Sequence, residues 1–390
     1  MTLSNRKILR TLLCLLAGTL YAVCLSACDA KEPLSENRDA EIESPVIAND
    51  LSNQKVTAIA EDTQGHIWIG TFRGLNKNNV HDYHQYFCTD DSLGLPDNQI
   101  THLLRDSKNR FWVGTVNGVC LYTDKDNFRI IPIEADNKNV RQILEDRNGR
   151  IFLNTGFQLY AYHPREEKIT CVLPEISPGN AFYAQCHIAP DNNLWVMTST
   201  GLRCYDPSTL QLKESVALNG YPYYSYLHNN ELWITGNHTL SIFDTRTRSF
   251  KPLPQPIAQN TTLCNADIDY IHPYGNNGLL LNTARHGMFY YNPGTGSVTR
   301  QDENGFPFEM PRFRISRMFT DSQQNLWIGS VDQGYTVCYH YKERFNNDNY
   351  LRSELNNKSV VSLSAGKDHK LWISTLMDGI YVYDLSLIHI

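Results

Sequence analysis

The sequence predicts an all-β protein, a β-propeller built from four-stranded blades, and three observations lead there. A unit of similar pattern recurs eight times along residues 52–384. Each copy offers short apolar runs of β type separated by Gly, Asn and Asp turns. Each copy also carries a large apolar anchor at one place, filled in turn by Trp68, Trp112, Phe152, Trp195, Trp233, Leu280, Trp327 and Trp372. These anchors are 38 to 47 residues apart, too far for leucine-rich or ankyrin repeats and the length of one propeller blade. Helical repeats of that length need apolar residues at i, i+3, i+4 and i+7, which the units do not supply. A sheet with two apolar faces cannot hide both alone, so the blades are expected to stack, with the anchor between them, and to close into a ring that protects their edges.

In chain order, residues 1–27 read as an export signal, because Arg6, Lys7 and Arg10 precede an apolar run over residues 11–25. Its end, Leu25-Ser26-Ala27-Cys28, resembles the lipobox of bacterial lipoproteins, which would leave Cys28 to be acylated. Cleavage near Ala27 or Ala30 and an uncleaved anchor are the alternatives, and all three place the remainder outside the cytoplasm. Residues 28–50, charged and poor in aromatics, read as a flexible tether. Residues 51–345 hold about seven repeats. Residues 346–384 hold the eighth, either the last blade of an eight-bladed ring or the first of a second propeller. The closing Leu385-Ser386-Leu387-Ile388-His389-Ile390 is what a common transposon sequencing adapter encodes in frame, so it is expected to be foreign and the natural protein longer.

Within the clearest unit, residues 56–60 alternate as a first strand, Asp62 to Gly65 turn, residues 66–71 form a second strand, and Phe72 to Gly74 turn again. Third strands end in aromatics, as in residues 119–122, 159–162, 287–291 and 380–383, and fourth strands carry Phe128, Phe250 or Phe345.

Asp62 to Leu75 fits D-x-x-G-x-[IL]-W-[IV]-G-T-x-x-G-[LV] throughout, Asp106 to Val119 departs at Asn109 and Phe111, and Asp321 to Gly334 departs in part. This pattern resembles the two-component regulator propeller repeat. The resemblance implies a hybrid two-component sensor of gut and environmental Bacteroidetes, with two seven-bladed periplasmic propellers, a β-sandwich, a membrane helix, a histidine kinase, a receiver and a helix-turn-helix output. It further implies a response to oligosaccharides. Kinase and output would lie beyond residue 384, and a lipobox is unusual in such a sensor.

Lys and Arg number 35 against 41 Asp and Glu, a net charge of −6, which gives no basic footprint for nucleic acid. No HExxH, P-loop, GxSxG or CxxC occurs. No catalytic residue, metal site or cofactor is therefore expected. Asp62, Asp106, Asp146 and Asp321 recur at one turn and read as caps of the turn backbone. Seven cysteines follow the lipobox, and Cys120, Cys204 and Cys338 read as small apolar core residues on different blades.

Turns joining second to third strands share a face with the links between blades, where propellers commonly take ligands. Here they carry Phe72 and Arg73, Asn117, Arg285 and His286, and Asp332 and Gln333, a mixture of charge, amide and aromatic suited to hydroxyl-rich ligands. Tyr221 to Tyr226, YPYYSY, could stack on sugar rings, but core packing is the preferred reading. The expected partners are an oligosaccharide or other small ligand, a second copy of the chain, and the membrane through a lipid anchor or a missing helix. Three functions stay open: an extracytoplasmic sensor region, which repeat identity favours; a propeller lipoprotein acting as a glycan-binding or assembly scaffold; and a propeller lyase or dehydrogenase.

Overall fold

The structure is a computed structural model that describes residues 51–78, 83–89, 93–123, 125–135, 137–176, 184–218, 220–275, 277–311, 313–340, 355, 358–366 and 370–384. The export signal, Cys28, the tether, Phe345 and residues 385–390 lie outside these.

The chain forms eight antiparallel sheets in which strands adjacent in sequence are adjacent in space. Six have four strands and the seventh and eighth have three among the described residues. The protein is an all-β propeller, as the repeat pattern predicts. The first strands of the first seven sheets are Val56–Glu61, Ile100–Arg105, Gln142–Glu145, Gln185–Ile188, Pro222–His228, Ile268–Tyr274 and Ile315–Thr320.

Second strands such as Ile67–Thr71, Phe111–Thr115, Leu194–Thr198 and Leu326–Ser330 are buried at every residue, because neighbouring sheets cover both faces. That is why they read as unbroken apolar runs rather than alternating ones. Their glycines mark where the next sheet comes close: a Cβ on Gly70 would stand 2.5 Å from Ile100 Cγ2, and one on Gly329 would stand 2.5 Å from Val56 Cγ1.

The second of these contacts joins the seventh sheet to the first. Val56, Ile67 and Ile69 share a core cluster with Trp327 and Tyr335, and Gly334 N donates to Gln54 O at 2.8 Å. Glu61 accepts from Ser322 N at 2.8 Å and from Ser322 Oγ at 2.6 Å. The same joint links the second and third sheets, where Glu145 accepts from Ser107 N at 2.7 Å and Ser107 Oγ at 2.5 Å. Contacts from sheet to sheet therefore run through the first seven and return to the start. In those seven the anchors Trp68, Trp112, Phe152, Trp195, Trp233, Leu280 and Trp327 are buried, whereas Trp372 of the eighth sheet is 44% exposed and strand Val360–Ala365 is exposed throughout.

Two details of the repeat explain its consensus. In the first, second and seventh sheets the turn aspartate caps the backbone with one oxygen and takes the indole N–H of the anchor with the other. Asp106 Oδ1 accepts from Lys108 N and Arg110 N at 3.0 and 2.8 Å, while its Oδ2 accepts from Trp112 Nε1 at 2.8 Å. Asp146 caps Asn148 N and Arg150 N likewise, each at 2.9 Å, and its Oδ2 accepts from Arg150 Nε at 2.7 Å, as Asp106 Oδ2 does from Arg110 Nε at 2.6 Å, but the facing Phe152 has no N–H to add. In the following turn, Thr71, Thr115, Thr198 and Thr283 each donate from Oγ1 to the carbonyl of Gly74, Gly118, Gly201 and Gly287 respectively, at 2.7 to 3.0 Å.

The sequence gives no sign of two short helices, Gln255–Gln259 and Thr261–Cys264, which lie between the fifth and sixth sheets and bury Ile257 and Leu263 against Trp233 and Leu279. Cys120 and Cys204 are buried as expected, but Cys338 is half-buried, and none of the seven described cysteines is in a disulfide.

Candidate functional site

The first strands lie innermost, and consecutive residues of each, such as Ile100 to His102 and Tyr224 to Leu227, border the ring axis. The result is an axial cavity of about 860 Å³ to which all seven sheets contribute. Lys55, Gln99, Val116 and Asn139, from links between sheets and from a turn joining second to third strands, are on its wall, which puts its mouth on the predicted ligand face.

Deeper in the cavity are His102, Gln142, Gln185, His187, Tyr224, Tyr226, Asp269, Tyr270 and Arg317. Several of these bind the next sheet. Gln142 Nε2 donates to Cys186 O at 2.8 Å while its Oε1 accepts from Cys186 N at 3.0 Å. Gln185 Oε1 accepts from Ser225 N at 2.6 Å. His187 Nε2 lies 2.8 Å from Ser225 Oγ, and His102 Nδ1 accepts from Ile143 N at 3.4 Å. Burial pulls both imidazoles down to about 4, helped at His102 by the Arg317 charge, so neither is protonated near neutral pH. Tyr224 and Tyr270 rings lie 5.6 Å apart, and Tyr224 Oη donates to Ile271 O at 3.3 Å. The Tyr221 to Tyr226 run is thus divided: Tyr221 is 77% exposed, Tyr223 is half-buried, and Tyr224 and Tyr226 pack against the core cluster of Trp233 and Leu279, as the preferred reading has it, while also bordering the axial cavity.

A second cavity of about 410 Å³ lies beside the sixth and seventh sheets, lined by Asn282, Arg285, Gln301, Arg314, Asp332 and Gln333 among others. Asp269 and Ile315 line both cavities, so the two are neighbours with these residues between them. Burial raises the Asp269 carboxyl above the ordinary range, against the pull of the Asn282 amide, which donates to it at 2.6 Å.

Of the turn residues singled out from the sequence, Arg285, Asp332 and Gln333 are brought together in this second cavity. His286 is in the same turn, where its N–H donates to Thr283 Oγ1 at 2.9 Å, but it does not line the cavity. Phe72 and Arg73 belong to the turn of the first sheet; Phe72 is 46% exposed, with Lys55 Nζ 4.7 Å from its ring centre. Asn117 is in the corresponding turn of the second sheet and lines neither cavity, though its neighbour Val116 lines the axial one. The axial residues His102, Gln142, Gln185, His187 and Tyr270 were not legible as site residues, since a polar side chain on the open side of an alternating strand looks like ordinary surface.

Residues 50–73 and 94–117 match the family model described as two component regulator propeller. These two segments are two component regulator propeller repeats. The repeats coincide with the parts of the first and second sheets in which the Asp62 and Asp106 turns lead into Trp68 and Trp112. Among solved structures, the extracellular domain assigned to a hybrid two component system of B. thetaiotaomicron superposes with a TM-score of 0.61 at 21% identity, covering 86% of this chain and 46% of its own. Another such extracellular domain from the same organism gives 0.59 at 21% identity, over 85% and 44%. This chain spans less than half the length of either. Virginiamycin B lyase from Staphylococcus aureus superposes with a TM-score of 0.56 at 14% identity, over 73% of this chain and 94% of its own. At such identities the likeness establishes the propeller fold. No curated protein matches the sequence.

Proposed function

We propose that this chain is the extracytoplasmic ligand-sensing region of a hybrid two-component sensor, built as a seven-bladed ring followed by the first sheet of another propeller. In this reading an oligosaccharide lies along the adjoining axial and side cavities, and signalling passes to a kinase outside this chain. The observation that supports the binding site most is that the two cavities lie side by side at Asp269 and Ile315. A linear ligand could run from the tyrosines at the axis to Arg285, Asp332 and Gln333 at the side.

The repeats and the extracellular-domain neighbours support an extracytoplasmic place, and Cys28 would supply a lipid anchor. Among the described residues no helix is long and apolar enough to cross a membrane. We read the chain as a binder rather than an enzyme, because each of the two axial histidines has a ring nitrogen engaged by the neighbouring sheet. Calorimetry of the complete extracytoplasmic region against a panel of plant and host oligosaccharides tests the proposal. Saturable heat that Tyr270→Ala diminishes would support it, and no binding across the panel would remove the glycan assignment.

A further inference from the structure

One place on each first strand pairs with the second-strand residue two positions beyond the anchor. In the seven sheets it is held by Ala58, His102, Gln142, Gln185, Tyr224, Tyr270 and Arg317. Five of these side chains tie their sheet to the backbone of the next. His102 Nδ1 accepts from Ile143 N, Gln142 bonds both N and O of Cys186, and Gln185 accepts from Ser225 N. Tyr224 Oη donates to Ile271 O and Tyr270 Oη to Met318 O, each at 3.3 Å. Ala58 has no polar group to do the same. Arg317 has one, yet among the described residues its guanidinium donates only to the adjacent Ser316 O, at 2.8 Å. The rest of its N–H fork is left for something else.

Arg317 is exposed although its strand is innermost, and it lines the axial cavity. Its charge reaches two other sheets. Together with burial it lowers the His102 imidazole of the second, and at Tyr224 of the fifth, where burial drives the phenol up, it pulls the other way. Among the described residues of the cavity wall, Lys55, Arg141 and Arg317 are cationic and Asp269 alone is anionic. The Asp269 carboxylate is already engaged by the Asn282 amide at 2.6 Å. Neither Lys55 nor Arg317 is in an ion pair among the described residues. The chain as a whole carries −6, so this excess of positive charge runs against the sign of the protein and favours an anion inside the cavity. A guanidinium can set two parallel N–H groups against two oxygens of a carboxylate or a sulfate.

We infer that the axial cavity selects acidic oligosaccharides, with a carboxylate or sulfate of the ligand seated on Arg317. The sugar part of this inference rests on the glycan reading proposed above, and the anion seat does not. Arg317 would set the charge of the ligand, while the equivalent residues of the other sheets hold the ring together.

The test is calorimetry of the full chain with oligosaccharides from polygalacturonate, alginate, heparin, chondroitin sulfate and κ-carrageenan. Each is paired with the same material after its carboxylates are esterified or its sulfates removed, which separates the two acids. At least one acidic member is expected to bind about tenfold or more tightly than its neutralised partner. In Arg317→Gln that preference should fall to within about threefold, and Arg317→Lys, which keeps the charge but not the fork, should restore part of it. If these variants do not fold, salt decides: between about 0.05 and 0.5 M the acidic member should lose affinity and its neutralised partner should not. Equal affinity within every pair, or a preference that Arg317→Gln leaves intact, overturns the inference while the glycan reading stands. Inorganic sulfate is titrated alongside. Should no oligosaccharide bind, sulfate that binds the native chain but not Arg317→Gln would remove the glycan reading and support the anion seat, and sulfate that binds neither overturns the seat as well.

Discussion

Asp62 Oδ2 accepts the indole N–H of Trp68 at 2.9 Å while Asp62 Oδ1 accepts the amides of Gln64 and His66 at 2.9 and 3.0 Å. One carboxylate thus closes the hairpin turn and fixes the ring that packs between sheets. Burial works against its ionised form, but the bonds from Trp68, His66 and Gln64 outweigh it and hold the carboxyl below the usual range. Asp62→Ala leaves a buried indole donor without an acceptor and is expected to lose about 1–3 kcal/mol, measured by denaturant unfolding. Asp146→Ala, whose anchor Phe152 has no N–H, should lose less. Equal losses would mean that the indole bond contributes nothing.

Stability should fall on acidification over a particular window. His102, His187 and His272 are drawn from 6.5 to about 4 by burial. The unfolded chain therefore binds more protons than the folded one between these values. The contribution of these three groups to stability is complete above about pH 6.5 and declines as pH drops toward 4. In the thermal midpoint followed across pH 4 to 7, His187→Gln should flatten that decline, and an unchanged slope would exclude His187 as a source.

Gly329→Ala tests the contact between the seventh and first sheets. The added methyl meets Val56, and the expected cost is about 1–3 kcal/mol, comparable to that of Gly70→Ala against Ile100. A neutral Gly329→Ala in thermal unfolding would mean that these two sheets do not pack in solution.

Anchor truncations should separate the eighth sheet from the others. Trp112→Ala opens a buried site and is expected to cost about 3–5 kcal/mol, whereas the half-exposed Trp372→Ala should cost well under half of that. Urea unfolding of the two variants makes the comparison.

If the adjoining cavities hold the ligand, Arg285→Ala and Asp332→Ala should each weaken oligosaccharide binding several-fold, while Phe72→Ala and Asn117→Ala leave it unchanged. The reverse pattern in calorimetry would move the site to the first two sheets.

Strand order and anchor burial were readable because the repeat displays them eight times over, with apolar runs wherever two sheets sandwich a third. The turn aspartates were readable as backbone caps, since Asx turns are local. Their bond to an indole six residues on was not, because it crosses a hairpin. Trp372 and Trp327 sit in nearly identical strings, LWIS and LWIG, so nothing local tells which of them has a neighbour on its far side. The side cavity was partly visible through Arg285, Asp332 and Gln333, whereas the axial one depends on seven distant strands converging. Ala189 at the aspartate place of the fourth sheet was present in the repeat, but its meaning needed the unpartnered indole of Trp195.

The Glu61–Ser322 joint has a mechanical corollary. Every other boundary around the ring is crossed by the polypeptide itself, whereas the first and seventh sheets meet without a covalent link between them. A load applied at the two termini would act on that seam directly, and the circle should open there before any individual sheet unravels.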